Sequence, residues 1–302
     1  MVDAAGQPRA RSGPIEQRAE RRLPVDSMTE QQPWIEIDEA LDQGWFEIWY
    51  QPKIDLRRKY LGGAEALARL RHPTLGVMPP GTFRPGIGEG SIARLTEYAL
   101  IATLRNWGAF DEAGFNLTLA INVPVSVLLT LPIPALVERY RPKSEAWPGI
   151  ILEVTEDQIV RDLRLAHSIA TNLHVSGIKI AIDCFGAGYS SLSSLRELPF
   201  SELKIDRGFV RDCATNATNA ALCQTAIDLA HRFGSAAVAD GIERQADLQT
   251  LVAMGCDFGQ GAMIAPSMPQ EEFLSLLLQR VSKARSPTVH PSEPGAAIDR
   301  VA

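Results

Sequence analysis

Ile178-Lys-Ile-Ala-Ile182, followed at once by Asp183, is the stretch that decides the fold. It is a short run of β-branched side chains that closes on an acid. Ile150-Ile-Leu-Glu-Val154 upstream and Glu202-Leu-Lys-Ile205 downstream are short runs that likewise contain β-branched residues and an acid. Nearly continuous apolar runs of this length are typical of strands that are buried on both faces of a parallel sheet.

Eight such runs occur along the chain, and longer segments with helical spacing separate them. The runs are Phe46–Tyr50, Leu61–Leu67, Leu117–Ile121, Ile150–Val154, Ile178–Ile182, Glu202–Ile205, Ala236–Ala239 and Cys256–Gly259. One intervening segment places Leu222, Ala226, Leu229 and Ala230 on a single helix face. This alternation predicts an α/β fold, a (β/α)8 barrel of the TIM type. A doubly wound open sheet remains the alternative, because alternation does not reveal whether the sheet closes.

Polar side chains stand in or directly after seven of these runs. They are Glu65, Asn122, Glu153, Asp183, Lys204, Asp240 and Gln260. In a barrel of this type the ligand-binding side chains project from the carboxyl ends of the strands. The first four supply carboxylate and amide oxygens, which hard divalent cations such as Mg²⁺ or Mn²⁺ require. The sequence therefore predicts a divalent cation site at that end of the barrel.

Composition narrows the classes of partner. The 302 residues include 30 basic and 36 acidic side chains, a formal net charge of −6. Such a chain gains no general attraction to nucleic acid polymers or anionic membranes, so a phosphate-bearing ligand needs a local site. Prolines interrupt the long weakly charged stretch 117–137, which argues against a membrane span. Four cysteines without metal or disulfide spacing favour a reducing compartment, and we expect a cytoplasmic protein.

Both ends of the chain differ in composition from its middle. Residues 1–30 and 281–302 are polar and lack apolar periodicity. Segments of this kind do not bury enough apolar surface to fold alone, so we expect two disordered tails. A single domain over residues 31–280 is predicted between them.

Several short motifs occur in a fixed order. Glu65-Ala66-Leu67 is followed by Arg69, and the further motifs are Ala120–Val123, Leu152–Glu156, Ile182–Ser191, Leu203–Asp206, Ala239–Glu243 and Gly259–Gly261. Over about residues 35 to 275 this order and spacing resemble the EAL-domain family, bacterial phosphodiesterases that hydrolyse cyclic di-GMP to linear pGpG. The resemblance implies a metal-dependent hydrolase without an organic cofactor, and a homodimer.

The resemblance also implies roles for individual residues. A first cation would be held by Glu65, Asn122, Glu153 and Asp183, and Asp183 would bridge to a second cation. The second-metal and general-base side would be completed by Cys184, Asp240 and Glu243.

Other positions are implied to contact substrate, water or a loop. Lys204 would hold the attacking water, and Gln260 would contact water or ligand near the metals. Arg69 would contact a substrate phosphate, which suits a guanidinium fork. Glu156 would anchor the loop from Phe185 to Leu195, which couples the metal site to dimerisation in the family.

Two departures from the family pattern weaken the second metal position. Cys184 stands where family members usually carry a second successive aspartate, and a neutral thiol is a poor ligand for Mg²⁺, while a thiolate prefers ions such as Zn²⁺. Asp240 stands where the family has glutamate, so its carboxylate is shorter by one methylene. A misplacement of about an ångström can reduce a rate about a hundredfold.

Three functions stay open at this point. The retained Glu65 favours a working phosphodiesterase, with reduced activity. Cys184 and Asp240 favour a cyclic di-GMP-binding module that has lost hydrolysis and signals through dimerisation or a protein partner. An interaction protein that neither binds nor cleaves the nucleotide is the third.

Overall fold

The computed structural model of the protein describes residues 34–78, 88–155, 173, 176–186 and 199–285, with side chains up to Gln279 on the last helix. The compact unit that contains the fold begins at Ile35. Its strands are β1 (Phe46–Asp55), β2 (Leu61–His72), β3 (Gly76–Met78), β4 (Thr118–Asn122), β5 (Ile150–Thr155), β6 (Ile178–Phe185), β7 (Glu202–Ile205), β8 (Ala236–Ala239), β9 (Phe258–Gly259) and β10 (Met268–Pro269). All eight predicted runs are confirmed as strands.

Helices lie between most of these strands. They are α1 (Ile37–Asp42), α2 (Glu89–Glu112), α3 (Val125–Thr130), α4 (Ile133–Tyr140), α5 (Arg207–Val210), α6 (Ala217–Arg232), α7 (Gln245–Ala253) and α8 (Gln270–Arg285). Among the described residues, none of the helices has the length and apolarity that a bilayer span requires. Helix α8 continues five residues past the predicted domain boundary at 280.

Eight of the strands close into a barrel. Strands β2, β4, β5, β6, β7, β8 and β9 pair in that order and in parallel, and β1 pairs with both β2 and β9. This closure confirms the predicted barrel and excludes the open sheet. Strand β1 runs antiparallel to both of its neighbours. The five residues 56–60 that join β1 to β2 allow a hairpin, whereas a parallel pair needs a crossover of about a dozen residues or more.

The number of aligned residue pairs between neighbouring strands differs around the barrel. Strands β1 and β2 align over nine residue pairs, but β9 aligns with β8 and with β1 over only two pairs each. The chain around β9 packs tightly against Ile242. A Cβ atom on Gly259 would lie 2.8 Å from the Ile242 side chain, and one on Gly261 would lie 2.2 Å from the Ile242 backbone nitrogen. Glycine at these two positions therefore permits the close approach.

An aromatic cluster covers the outer face of β1. Tyr50 on β1 packs edge-to-face on Phe110 of α2 at a ring-centroid distance of 5.1 Å and stacks on Phe273 of α8 at 5.8 Å. All three side chains are fully buried. Since the β1–β2 hairpin contains no helix, α2 and the last helix α8 supply this cover and exclude water from the strand.

A buried ion pair closes the amino end of the barrel. Lys53 Nζ on β1 lies 2.6 Å from both carboxylate oxygens of Glu202, the first residue of β7. Their exposed fractions are 3% and 7%. The two charges satisfy each other. Because the pair also lies at the end of the barrel away from the predicted ligand-binding side chains, it is not available for catalysis.

The predicted helix around Leu222 is confirmed as α6, but its buried face is rotated. Cys223, Ala226, Ile227 and Ala230 form the buried stripe, while Leu222 is 39% exposed. A free cysteine behaves as a small apolar side chain. Cys223 therefore takes the core position that the sequence pattern assigned to the larger leucine.

Candidate active site

Lys204 lies at the centre of the polar end of the barrel. Its side chain is almost fully buried in β7. The Nζ atom donates to Glu153 Oε2 at 2.5 Å and to Glu65 Oε2 at 3.1 Å, and it lies 3.5 Å from Asp183 Oδ1. Side chains from four different strands therefore meet at one ammonium group, as the position of these residues in the runs predicts.

Glu65 is the most completely hydrogen-bonded carboxylate of this cluster. Asn122 Nδ2 donates to its Oε1 at 2.6 Å, and Gln260 Nε2 donates to its Oε2 at 2.5 Å. Burial would raise the pKa of Glu65, but Lys204 and these two amides outweigh burial and hold the pKa below its ordinary value. Glu65 is therefore an ionised carboxylate that can act as a cation ligand.

Cys184 lies in a backbone bulge beside Asp183. The pairing of β6 with β7 shifts register between Ile182 and Phe185. Cys184 has φ of +56°, in the left-handed region that non-glycine residues rarely adopt. Its thiol donates to Asp183 Oδ2 at 3.5 Å. Burial, reinforced by the Asp183 charge, raises the pKa of the thiol to about 12, so the group is neutral near pH 7 and binds hard cations weakly.

Asp240 comes directly after β8 and is half-buried. Its Oδ1 accepts a hydrogen bond from the backbone N–H of Gly241 at 2.8 Å. Burial raises its pKa, Lys204 opposes the rise, and the charges on Glu65 and Asp183 add to it. A carboxyl group whose pKa is raised is better matched to proton transfer near neutral pH than an ordinary aspartate is.

The cluster carries more negative than positive charge. Glu65, Glu153, Asp183 and Asp240 share the one buried ammonium of Lys204. Burial, and next the Glu65 charge, raise the pKa of Glu153 to about 8 in spite of Lys204. Burial would lower the pKa of Lys204, but the surrounding carboxylates raise it well above its ordinary value.

The excess negative charge and the oxygen ligand atoms of the cluster are suited to binding a divalent cation. Among the described residues, no three His, Cys, Asp or Glu side chains meet at metal-ligand distances. Lys204 Nζ instead holds Glu65, Glu153 and Asp183 around itself. Asn122 is exposed and the Asp183 side chain is 14% exposed, so the cluster is accessible from their side, while Lys204 and Glu153 form its buried floor.

The raised pKa of Glu153 predicts a pH dependence of stability for the metal-free protein. Because burial raises the pKa of Glu153 to about 8, the folded state releases this proton at a higher pH than the unfolded chain, whose carboxyl titrates near the ordinary value of 4.5. The folded state therefore binds more protons in this window, and the unfolding free energy should fall as pH rises through it. Urea unfolding in a chelator from pH 5 to 8 measures this slope. Glu153→Gln should have a shallower slope, and equal slopes for the two proteins would contradict the prediction.

The remaining predicted residues are Arg69, Glu243 and Glu156. Arg69 is half-buried farther along β2, and its Nη2 donates to Ser267 Oγ at 3.1 Å. Glu243 is exposed in the loop after β8, and among the described residues no hydrogen bond or ion pair joins it to Lys204 or the carboxylates. Glu156 and most of the loop from Phe185 to Leu195 lie outside the described residues.

Gln51 belongs to the cluster, although sequence reasoning missed it. It lies on β1 opposite Glu65, and its Oε1 accepts a hydrogen bond from Gln260 Nε2 at 3.2 Å. A signal was present in the sequence. Gln51 directly follows the run Phe46–Tyr50, just as Asn122 directly follows its own run.

Known proteins resemble this chain over most of its length. Cyclic di-GMP phosphodiesterase RocR of Pseudomonas aeruginosa is 34% identical over 248 residues, which are 79% of this chain and 62% of RocR. Signaling protein YkoW of Bacillus subtilis is 30% identical over 250 residues, 82% of this chain and 31% of YkoW. The chain therefore spans less than two thirds of the length of these relatives.

Solved structures share the fold. The PaMucR phosphodiesterase in complex with c-di-GMP matches with a TM-score of 0.71 at 31% identity, covering 78% of this chain and 97% of that one. The EAL domain of Mycobacterium smegmatis DcpA matches with a TM-score of 0.64 at 29% identity, covering 81% and 99% of the two chains. The protein-family model described as "EAL domain" matches residues 35–267 of this chain. Because this match spans well over half of the sequence, the chain belongs to the EAL domain family.

Proposed function

We propose that the protein hydrolyses cyclic di-GMP to linear pGpG with the help of a divalent cation, Mg²⁺ or Mn²⁺. The observation that carries the proposal is the group of carboxylates around Lys204 at the accessible carboxyl end of an EAL-family barrel. Relatives named cyclic di-GMP phosphodiesterase support the choice of substrate.

The oxygen donors divide into two cation positions. Glu65, Asn122, Glu153 and Asp183 would hold the first cation, and Asp183, Asp240 and Cys184 would face the second. When bound, such cations supply positive charge that stabilises the oxygens of a phosphodiester under attack. We propose that the second position is the weaker one, because the Cys184 thiol is neutral near pH 7.

The protein's own residues then bind substrate and move protons. Lys204 keeps its proton, since the carboxylates raise its pKa, so it orients the attacking water as a hydrogen-bond donor and does not act as the base. Asp240, whose pKa is raised, and Glu243 are our candidates for accepting the proton of that water. Arg69 would bind a substrate phosphate through its guanidinium fork, and Gln260 would contact water or ligand.

A catalytically inactive cyclic di-GMP receptor is the second candidate. The observation that favours it is Cys184, because a protonated thiol stands where the family usually has a carboxylate. Such a receptor would signal through dimerisation or a protein partner.

The test is direct assay of the purified protein. Cyclic di-GMP is incubated with protein in Mg²⁺ and, separately, in Mn²⁺, and the products are resolved by chromatography. We expect pGpG from the wild type and from Glu112→Ala, which removes an exposed carboxylate of α2, but not from Glu65→Ala. Saturable nucleotide binding without product would support the receptor. Absence of both binding and product would overturn the two candidates.

Several finer assignments stay predictions. We propose a domain over residues 31–280, extended to Arg285 by helix α8, between two tails, with a cytoplasmic location and a homodimer whose protein partner supplies regulation. We expect the protein to bind neither nucleic acid polymers nor membranes. The role of Glu156 as a loop anchor is proposed from the family resemblance alone.

A further inference from the structure

Gln51 reaches the cluster around Lys204 from a strand that runs opposite to the others. The other side chains of the cluster come from parallel strands or from the turns that follow them, whereas Gln51 lies in the middle of the antiparallel strand β1. Its partner across the hairpin is Glu65, which binds Lys204, Asn122 and Gln260. Gln51 is therefore fixed next to the most completely hydrogen-bonded carboxylate of the site.

The hydrogen bonds of Gln51 have a defined direction. Its Nε2 donates to the backbone carbonyl of Ala265 at 3.4 Å, and its Oε1 accepts from Gln260 Nε2 at 3.2 Å. Gln260 Nε2 also donates to Glu65 Oε2 at 2.5 Å. A carboxamide has one donating end and one accepting end. The Ala265 carbonyl therefore orients Gln51, and Gln51 in turn orients Gln260.

This orientation matters because Gln260 is buried against an anion. Its exposed fraction is 1%. If its carboxamide turned over, its oxygen would face the Glu65 carboxylate, and two acceptors would meet without a proton between them. Gln51 disfavours that state, because its own oxygen attracts the amino end of Gln260. A buried acceptor without a donor is costly, so this difference biases the two orientations strongly.

We infer that Gln51 is a positioning residue of the cation site, which fixes the Gln260 carboxamide toward Glu65 through the chain from Ala265 O to Gln51, Gln260 and Glu65. The inference rests on the proposed function, because Glu65 is a proposed cation ligand. Partners that orient metal ligands typically change metal affinity or activity by about 10- to 100-fold when they are removed.

The experiment compares Gln51→Met with wild type in the full chain. Methionine keeps the length of the side chain and removes both hydrogen bonds. Mn²⁺ binding is measured by calorimetry without nucleotide, and kcat and KM for cyclic di-GMP are measured separately. We expect Gln51→Met to weaken Mn²⁺ binding about tenfold and to lower kcat, with little change in KM. Gln249→Met, an exposed site on α7, is the matched control and should equal wild type.

The double variant Gln51→Met/Gln260→Met supplies the second comparison. If Gln51 acts through Gln260, the double variant should bind Mn²⁺ no more weakly than Gln260→Met alone. Wild-type Mn²⁺ affinity and kcat in Gln51→Met would overturn the inference, and so would a further loss of Mn²⁺ affinity when Gln51→Met is added to Gln260→Met. A wild type that binds Mn²⁺ but forms no pGpG would instead contradict the proposed function, and the Mn²⁺ comparison would still decide the role of Gln51.

Discussion

Lys204→Met is expected to lower the unfolding free energy by about 3–5 kcal/mol in the presence of a chelator, because removing one partner of a buried ion pair leaves uncompensated charge. Here Glu65, Glu153 and Asp183 would lose the ammonium that lies within 3.5 Å of all three. Hydrolysis should fall at least about a hundredfold, since a preorganised donor to the reacting groups is lost. Urea unfolding and the pGpG assay measure the two effects.

Mg²⁺ should restore part of the stability of this variant, because a ligand that binds only the folded state stabilises it. Lys179→Met is the matched control: Lys179 is exposed on the adjacent strand β6, and its replacement should stay within about 0.5 kcal/mol of wild type. A Lys204→Met protein as stable as wild type in chelator would show that the carboxylates do not need this ammonium.

Cys184→Asp is expected to raise turnover in Mg²⁺ about tenfold or more, because it replaces a neutral thiol with a hard oxygen ligand on the side of the second cation. The backbone favours the change. Cys184 has φ of +56°, and aspartate adopts this left-handed conformation more readily than most residues. The assay is pGpG formation at saturating nucleotide in Mg²⁺ and in Mn²⁺.

Cys184→Asn is the control for this substitution, because asparagine has the shape of aspartate and its tolerance for a positive φ but no charge. It should leave turnover near the wild-type level. Equal turnover for Cys184→Asp and wild type in both metals would mean that the thiol does not limit the rate.

The barrel was predictable because buried parallel strands appear in the sequence as short apolar runs. Strands β3 and β10 were missed, since three and two residues carry no periodicity. The direction of β1 was not predicted either, although the sequence held a signal for it. Residues 56–60 are too few for a parallel crossover and long enough for a hairpin.

The cluster around Lys204 was predictable from where polar side chains fall along the runs. Its internal pairing was not. Lys204 contacts Glu153, which lies 51 positions away in the chain, and Glu65, which lies 139 positions away. Sequence order alone does not say which carboxylate faces the ammonium. The bulge at Cys184 also has no local sequence signal, because it arises from the register of β6 against β7.

The short strand β9 makes one joint of the barrel weaker than the others. Two aligned pairs on each side and a few flanking backbone hydrogen bonds, such as Gln260 N–H to Ala239 O at 2.9 Å, hold it, whereas nine pairs join β1 and β2. Local opening of a protein follows its least-bonded segments. Fluctuations that break the pairing of β9 would move Gln260, which directly follows β9, away from Glu65. Lys204 and the carboxylates would stay in place on longer-paired or central strands. Opening of the barrel would therefore begin beside the proposed cation site, because Gln260 both follows β9 and donates to Glu65.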